Sequence, residues 1–241
     1  MYHNIIFLPI YNAFVGLLNL FPWMDIGLAM IVFTVIVKVI LFPIAKKSLL
    51  TQVKMKEVEP EAQKIREMYK NDKQVQAMKI MQLYKEKNFS PFSSVLLLII
   101  QLPILFALIS VFYKVIPEVK PELLYSFVSV PHIKTLFIGL IDLTNKSLIL
   151  SLMTAIAQYF QLKYSPSLKN APSSTNNPQM AAMQSMNSSM KYFLPVFAFI
   201  STYWIIPAQF PAAASAIALY WMASTLFTLV QELYIRKKHI K

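Results

Sequence analysis

Two stretches decide what this chain can fold into. Gly27 to Ala45 carries a single charge, and Ser93 to Tyr113 carries none. Eighteen or more apolar residues in a row suffice to cross a bilayer core of about 30 Å as a helix. Backbone polar groups in lipid must be satisfied inside the segment, so spanning helices are the natural outcome. The rest of the chain agrees: 56% of residues are hydrophobic and 14% charged, against about 25% charged in a soluble domain. A soluble globular enzyme is excluded first. With no cysteine there is no disulfide framework, thiolate metal site or cysteine nucleophile. The three histidines form no metal motif, and no His-Glu-x-x-His or paired intramembrane aspartate occurs. Neither a cofactor nor enzymatic chemistry is expected.

The hydropathy pattern predicts five spans, at about 26–45, 93–114, 146–164, 191–207 and 212–231. Residues 5–21 form a sixth apolar run, broken by Pro9, Asn12 and Asn19. At about 25 Å it falls short of the core, which suits an amphipathic helix lying in the interface over residues 1–22; a sixth span is the alternative. The expected fold is therefore an all-α polytopic membrane protein. It is a five-span helical bundle with an N-terminal interfacial amphipathic helix and a cytoplasmic helical hairpin. Only three glycines are present, so helix packing of the Gly-x-x-x-Gly kind is not available.

Charge sets the orientation. Eighteen of the 23 basic residues fall in segments 46–88, 163–191 and the tail from Arg236, and basic loops stay inside. The cytoplasmic parts are then a hairpin over 46–90, a loop over 165–190 and a short basic tail over 232–241. The 115–145 loop lies outside, with the N-terminus. Such basic segments also attract anionic lipids. No base-reading motif accompanies them, so DNA is not an expected partner.

Within 46–90, Val58, Ala62, Ile65 and Tyr69 follow helical spacing, as do Ala77, Met81 and Tyr84, with the polar turn Lys70-Asn71-Asp72-Lys73 between them. Two antiparallel helices packing on these stripes account for both. Eight of the 13 methionines fall in cytoplasmic segments, and methionine suits surfaces that meet varied apolar partners. Core filling explains any one of them, but the clustering points to contact with an apolar partner, at Met68, Met78, Met81 and Met183. Segment 165–188, rich in Pro, Ser, Asn and Gln, reads as a loop with a short helix from Pro178 to Met186.

Lys38 is the sharpest single feature. Its Cα lies about 12 Å inside the cytoplasmic boundary, where a charge costs about 2.5–3.5 kcal/mol unless it finds water or a partner. Snorkelling to the headgroups is one answer. A wet groove is the other: Thr34 is one turn away, Gln101 lies in the second span, Thr154, Gln158 and Gln161 share a face of the third, and Trp221, Ser224, Thr228 and Gln231 share a face of the fifth. Taken singly, each of these is explained by interhelical hydrogen bonding. No acidic residue falls deep in the five expected spans, so Lys38 is read as lacking a carboxylate partner, which argues against a proton relay.

Several short motifs then align in order and spacing. They are Leu41-Phe42-Pro43 at the end of the first span, Leu83-Tyr84-Lys85 at the end of the hairpin, and Gln101-Leu102-Pro103-Ile104 in the second span. Tyr192-Phe193-Leu194-Pro195, Phe210-Pro211, Leu219-Tyr220-Trp221 and Gln231 complete the set. Over nearly the whole chain the pattern resembles the YidC, Oxa and Albino-type membrane protein insertases, in the short form without a large periplasmic domain. The resemblance implies five core spans and a groove open to cytoplasm and lipid. It places Lys38 where the family usually carries an arginine. It implies a bacterial plasma (inner) membrane location and nascent membrane proteins as partners, and it admits the ribosome and a Sec-type translocon. The alternative function is a small carrier or channel.

Overall fold

A computed structural model of the chain describes residues 3–88, 92–116, 118–165 and 178–239. A π-helical turn, His3–Phe7, leads into α1 (Leu8–Leu20); α2 (Ile26–Ile40) and α3 (Phe42–Met68) follow, then α4 (Lys73–Glu86) and α5 (Phe92–Val115). Next come the short strands β1 (Leu136–Phe137) and β2 (Ile141–Asp142) and helix α6 (Leu148–Tyr164). Helix α7 (Pro178–Ile200) continues through a π-helical turn, Ser201–Ile205, into α8 (Ile206–Gln209), and α9 (Ala214–His239) closes the chain.

The main core gathers Phe14 and Val15 from α1, Met30 and Phe33 from α2, Leu108 and Phe112 from α5, and Leu219 and Tyr220 from α9. Helix α9 packs against both α2 and α6. With glycine so scarce, its close approach rests on the small residues Ala214, Ser215, Ala216 and Ala218, each almost wholly buried. The Ser215 hydroxyl fastens the start of α9 by donating to the Asn145 carbonyl.

Among the described residues, length and composition make three helical stretches fit to cross a membrane: His3–Leu20, Ser189–Gln209 and Pro211–Lys238. A fourth arises if Ile26–Ile40 and Phe42–Met55, bent by 64° at their junction, count as one span. Leu102–Val115 is a shorter apolar helix, and α6 has 17 residues. The first expected span, 26–45, is thus interrupted at Leu41. Pro43 sits in the first turn of α3, where a missing N–H is tolerated but a straight continuation of α2 is not.

The hairpin has its own small core. Val58 and Ala62 of α3 bury against Leu83 and Tyr84 of α4, with Ile65 and Ile80 beside them. Asp72 caps α4 by accepting from the Gln74 and Val75 amides at 3.1 and 3.0 Å. A Lys87–Glu61 ion pair at 2.8 Å joins the two helices. The expected stripe through Ala77 and Met81 is corrected here: both are exposed. A 14-residue helix with scattered apolar positions offers two candidate faces, and Ile80-Leu83-Tyr84 is the one that packs.

At the far end from the hairpin, the segment after α5 is tied to α1 and α2. Asn12 donates from Nδ2 to the Leu123 carbonyl and accepts from the Tyr125 amide, at 2.9 and 2.7 Å. Asn19 donates to the Ser129 carbonyl at 2.7 Å. Asp25 caps α2 through the Leu28 amide at 2.9 Å, and its second oxygen accepts from the Ile138 amide at 3.1 Å. Gly27 is required at the same place: a Cβ there would lie 2.5 Å from the Phe137 ring. The β1–β2 turn is completed by Gly139 at φ +71°. Because Asn12 is buried, Asn12→Leu leaves an amide and a carbonyl without partners. A loss of about 2 kcal/mol is expected, read as a lower unfolding midpoint of the purified protein in detergent. An unchanged midpoint would show that the tie contributes nothing.

Candidate functional site

The polar residues singled out in the sequence converge where α2, α6 and α9 meet. Lys38 is half-buried and is held by α9 at both ends. Its Nζ donates to Thr228 Oγ1 at 3.1 Å, and its main-chain carbonyl accepts from Gln231 Nε2 at 3.4 Å. That carbonyl is free to accept because α2 ends at Ile40, leaving its last carbonyls without intrahelical partners.

A second set of contacts runs between α6 and α9 as a directed chain. Trp221 Nε1 donates to Gln158 Oε1, Gln158 Nε2 to Gln161 Oε1, and Gln161 Nε2 to Glu232 Oε1, each at 3.2 Å. Every member gives its N–H forward, and the last acceptor is a carboxylate. Charged acceptors make stronger hydrogen bonds, so Glu232 orients the row.

Glu232 was missed at the sequence level, and it corrects one expectation. Its carboxylate acts electrostatically on Lys38 without closing an ion pair, and Arg236, one turn further along α9, acts on it as well. Lys38 therefore has an acidic neighbour. The apolar window was closed at residue 231 because a charge follows, whereas α9 continues without a break to His239. The available signal was spacing: Glu232 lies four residues after Thr228, on the face that also presents Trp221 and Ser224.

Thr34 and Thr154 are part of the packing at this junction. Thr34 is buried and donates to the Met30 carbonyl at 2.6 Å. Thr154 is buried and donates to the carbonyls of Leu150 and Ala218, at 2.7 and 3.1 Å, which stitches α6 to α9. Ser224 gives its carbonyl to Thr228 Oγ1 at 2.8 Å. The Gln101 and Met183 side chains lie outside the described residues. On the hairpin, Met68 and Met78 are 71% and 61% exposed, and Met81 is exposed as well. Among the described residues, no cluster of three His, Cys, Asp or Glu could hold a metal ion.

These features define a class: a helical, multi-pass membrane protein with a cation set into a polar seam between its helices. The model of the 60Kd inner membrane protein family matches residues 17–241. The membrane protein insertase YidC of Clostridium tetani is 32% identical over 231 residues, covering 96% of this chain and 90% of that protein. The membrane protein insertase YidC of Fusobacterium nucleatum is 28% identical over 214 residues, covering 89% and 87%. That of Campylobacter jejuni is 31% identical over 211 residues, which is 34% of a longer protein. The chain belongs to the 60Kd inner membrane protein family, a family of membrane protein insertion.

Proposed function

We propose that the chain inserts membrane proteins by giving a client's short polar segment a way into the bilayer through the Lys38 seam. The observation that carries this reading is the position of Lys38: a cation within an apolar helix, held by Thr228 beside a row of amides. A polar segment entering lipid unaided leaves its hydrogen-bonding groups bare, at several kcal/mol for each. The amides of Gln158 and Gln161 and the Lys38 amine supply partners part-way across. An acidic residue near the client's leading end is drawn to Lys38, and the client's apolar helix then partitions into lipid and completes the transfer. No bond is made or broken, and no cofactor takes part.

Five spans, at 26–45, 93–114, 146–164, 191–207 and 212–231, carry the seam in a bacterial inner membrane, with the N-terminus outside and the tail inside. The helix His3–Leu20 runs along the outer interface. Contacts at Phe7, Tyr11, Asn12 and Asn19 with residues between Lys114 and Ser129 support this. A helix that touches one loop along most of its length lies beside that loop. The basic hairpin rests on anionic headgroups and meets clients first, through Met68, Met78 and Met81; Met183 is assigned to the same task. Client proteins arrive as nascent chains, with the ribosome and a Sec-type translocon as further partners.

The test is the purified protein in liposomes with a single-span client, read as client protected from added protease. Rates no greater than those of protein-free vesicles would remove the reading. Single cysteines fix the orientation: one at Asn71 should react only with reagent on the cytoplasmic side, and one at Glu122 only from outside. Labelling of Asn71 from outside would reverse the topology.

A further inference from the structure

We infer that Glu232 is the resting counter-charge of Lys38 and sets how strongly the seam prefers clients with acidic translocated segments. This rests on the insertase reading above. Of the 11 acidic residues in the sequence, Glu232 is the one that falls within the last apolar stretch, Pro211–Lys238. It follows directly on the proposed fifth span and is half-buried, and a carboxylate drawn out of water needs partners to offset the lost hydration.

Its surroundings describe that task. One oxygen is fixed by Gln161 at 3.2 Å, and the Ser165 hydroxyl stands beside the group. Among the described residues the other oxygen, Oε2, is buried with no hydrogen-bond partner. An ionised carboxylate accepts several hydrogen bonds, so this oxygen is available to a cation that approaches. Two cations act on the group: Arg236, one turn further along α9, and, more weakly, Lys38 from α2. Arg236 is itself anchored, donating from Nη1 to the Tyr164 carbonyl at 2.9 Å. Lys38 meanwhile makes one fixed side-chain contact, to the neutral Thr228 hydroxyl, and an ammonium has three donors.

The arrangement is a competition. In the empty seam the field of Glu232 offsets part of the charge on Lys38. A client carboxylate that reaches Lys38 enters that same field and is repelled by it, so it is held less tightly than it would be without Glu232. Once Lys38 is engaged, Arg236 neutralises Glu232, and the seam is not left with two carboxylates around one amine. Glu232 thus acts through Lys38, as a positioning residue for discrimination between clients.

The experiment uses the full chain in liposomes and two clients that differ only by Asp against Asn in the translocated segment. The reading is the ratio of their initial insertion rates. Glu232→Gln keeps an acceptor for Gln161 and removes the charge, so the Asp/Asn ratio should rise about fivefold. In a Lys38→Ala background the same change should raise it about twofold or less. Arg236→Gln, which strips Glu232 of its second cation, should lower the ratio; this variant serves if Glu232→Gln does not reconstitute. A ratio that stays level or falls in Glu232→Gln, while the unaltered chain inserts both clients, overturns the inference and leaves the insertase reading standing. So does an equal slowing of both clients, or a gain that is as large without Lys38. If the unaltered chain inserts neither client above protein-free vesicles, both readings fall together.

Discussion

Lys38→Ala is expected to slow insertion of a client with an acidic translocated segment by about tenfold or more, and Lys38→Glu to slow it further. A hydrogen bond to a charged group contributes about 1.5–3 kcal/mol, and each ~1.36 kcal/mol is a factor of ten in rate. Alanine removes that attraction and leaves the Glu232 carboxylate without its inner cation, so the seam turns from attractive to repulsive for acid. Glutamate adds a second negative charge at the point of entry. Lys38→Arg keeps the charge and should retain function. Its planar fork differs from a point charge in geometry, so clients should differ in how well they use it. Clients with neutral segments should lose much less in every variant. Initial rates in liposomes at matched protein levels, over several clients, provide the check. Full activity of Lys38→Ala would mean that the amine only snorkels to the headgroups.

Deleting residues 57–87 is expected to slow client capture about tenfold while the spanning bundle stays folded. The two hydrophobic clusters make this separable. Val58, Ala62, Leu83 and Tyr84 share no member with the main core, and the deletion leaves buried Ser48, Leu49 and Thr51 in place. Loss of a four-residue core removes little burial from the remainder. The exposed methionines go with it, whereas the charge excess largely stays: residues 57–87 hold seven basic and six acidic residues, and Lys46, Lys47, Lys54 and Lys56 remain. The expected loss is therefore one of apolar contact and not of attraction to anionic lipid. Shortening the tip around Asn71 should be tolerated, because the ties at the turn are local to it: the Asp72 cap and the Gln76 amide on the Arg66 carbonyl. Photo-crosslinkers at Met68 and Met78 should trap clients before those at Gln158 or Ser224 do. The reverse order would make the hairpin a structural lid.

Much of this was legible from residue order alone. A lysine in an apolar run is conspicuous, and polar residues at helical spacing led to Gln158, Gln161, Trp221 and Thr228, which the fold does bring together. The hairpin followed from one polar turn between two apolar stripes. What was hidden depended on partners distant in sequence. Asn12 and Asn19 looked like interruptions of an apolar helix, and their amides bind a loop more than 100 residues away. Glu232 looked like the first residue outside a span. Windowed hydropathy ends at a charge, whereas a helix ends where its hydrogen bonds do. The break at Leu41 was concealed because apolar residues lie on both sides of it, and hydropathy does not register a change of direction.

That break has a mechanical side. Helix α3 is assigned over 27 residues from Phe42, with Pro60 inside it, a length of about 40 Å at ~1.5 Å per residue. Lys38 sits three residues before the joint, on the short arm, and Met68 ends the long one. A rotation of about 10° at Leu41 would carry Met68 through roughly 7 Å while moving the amine by a small fraction of that. On the proposed reading, the two places where a client would touch the chain, Met68 and Lys38, lie at very unequal distances from the same bend.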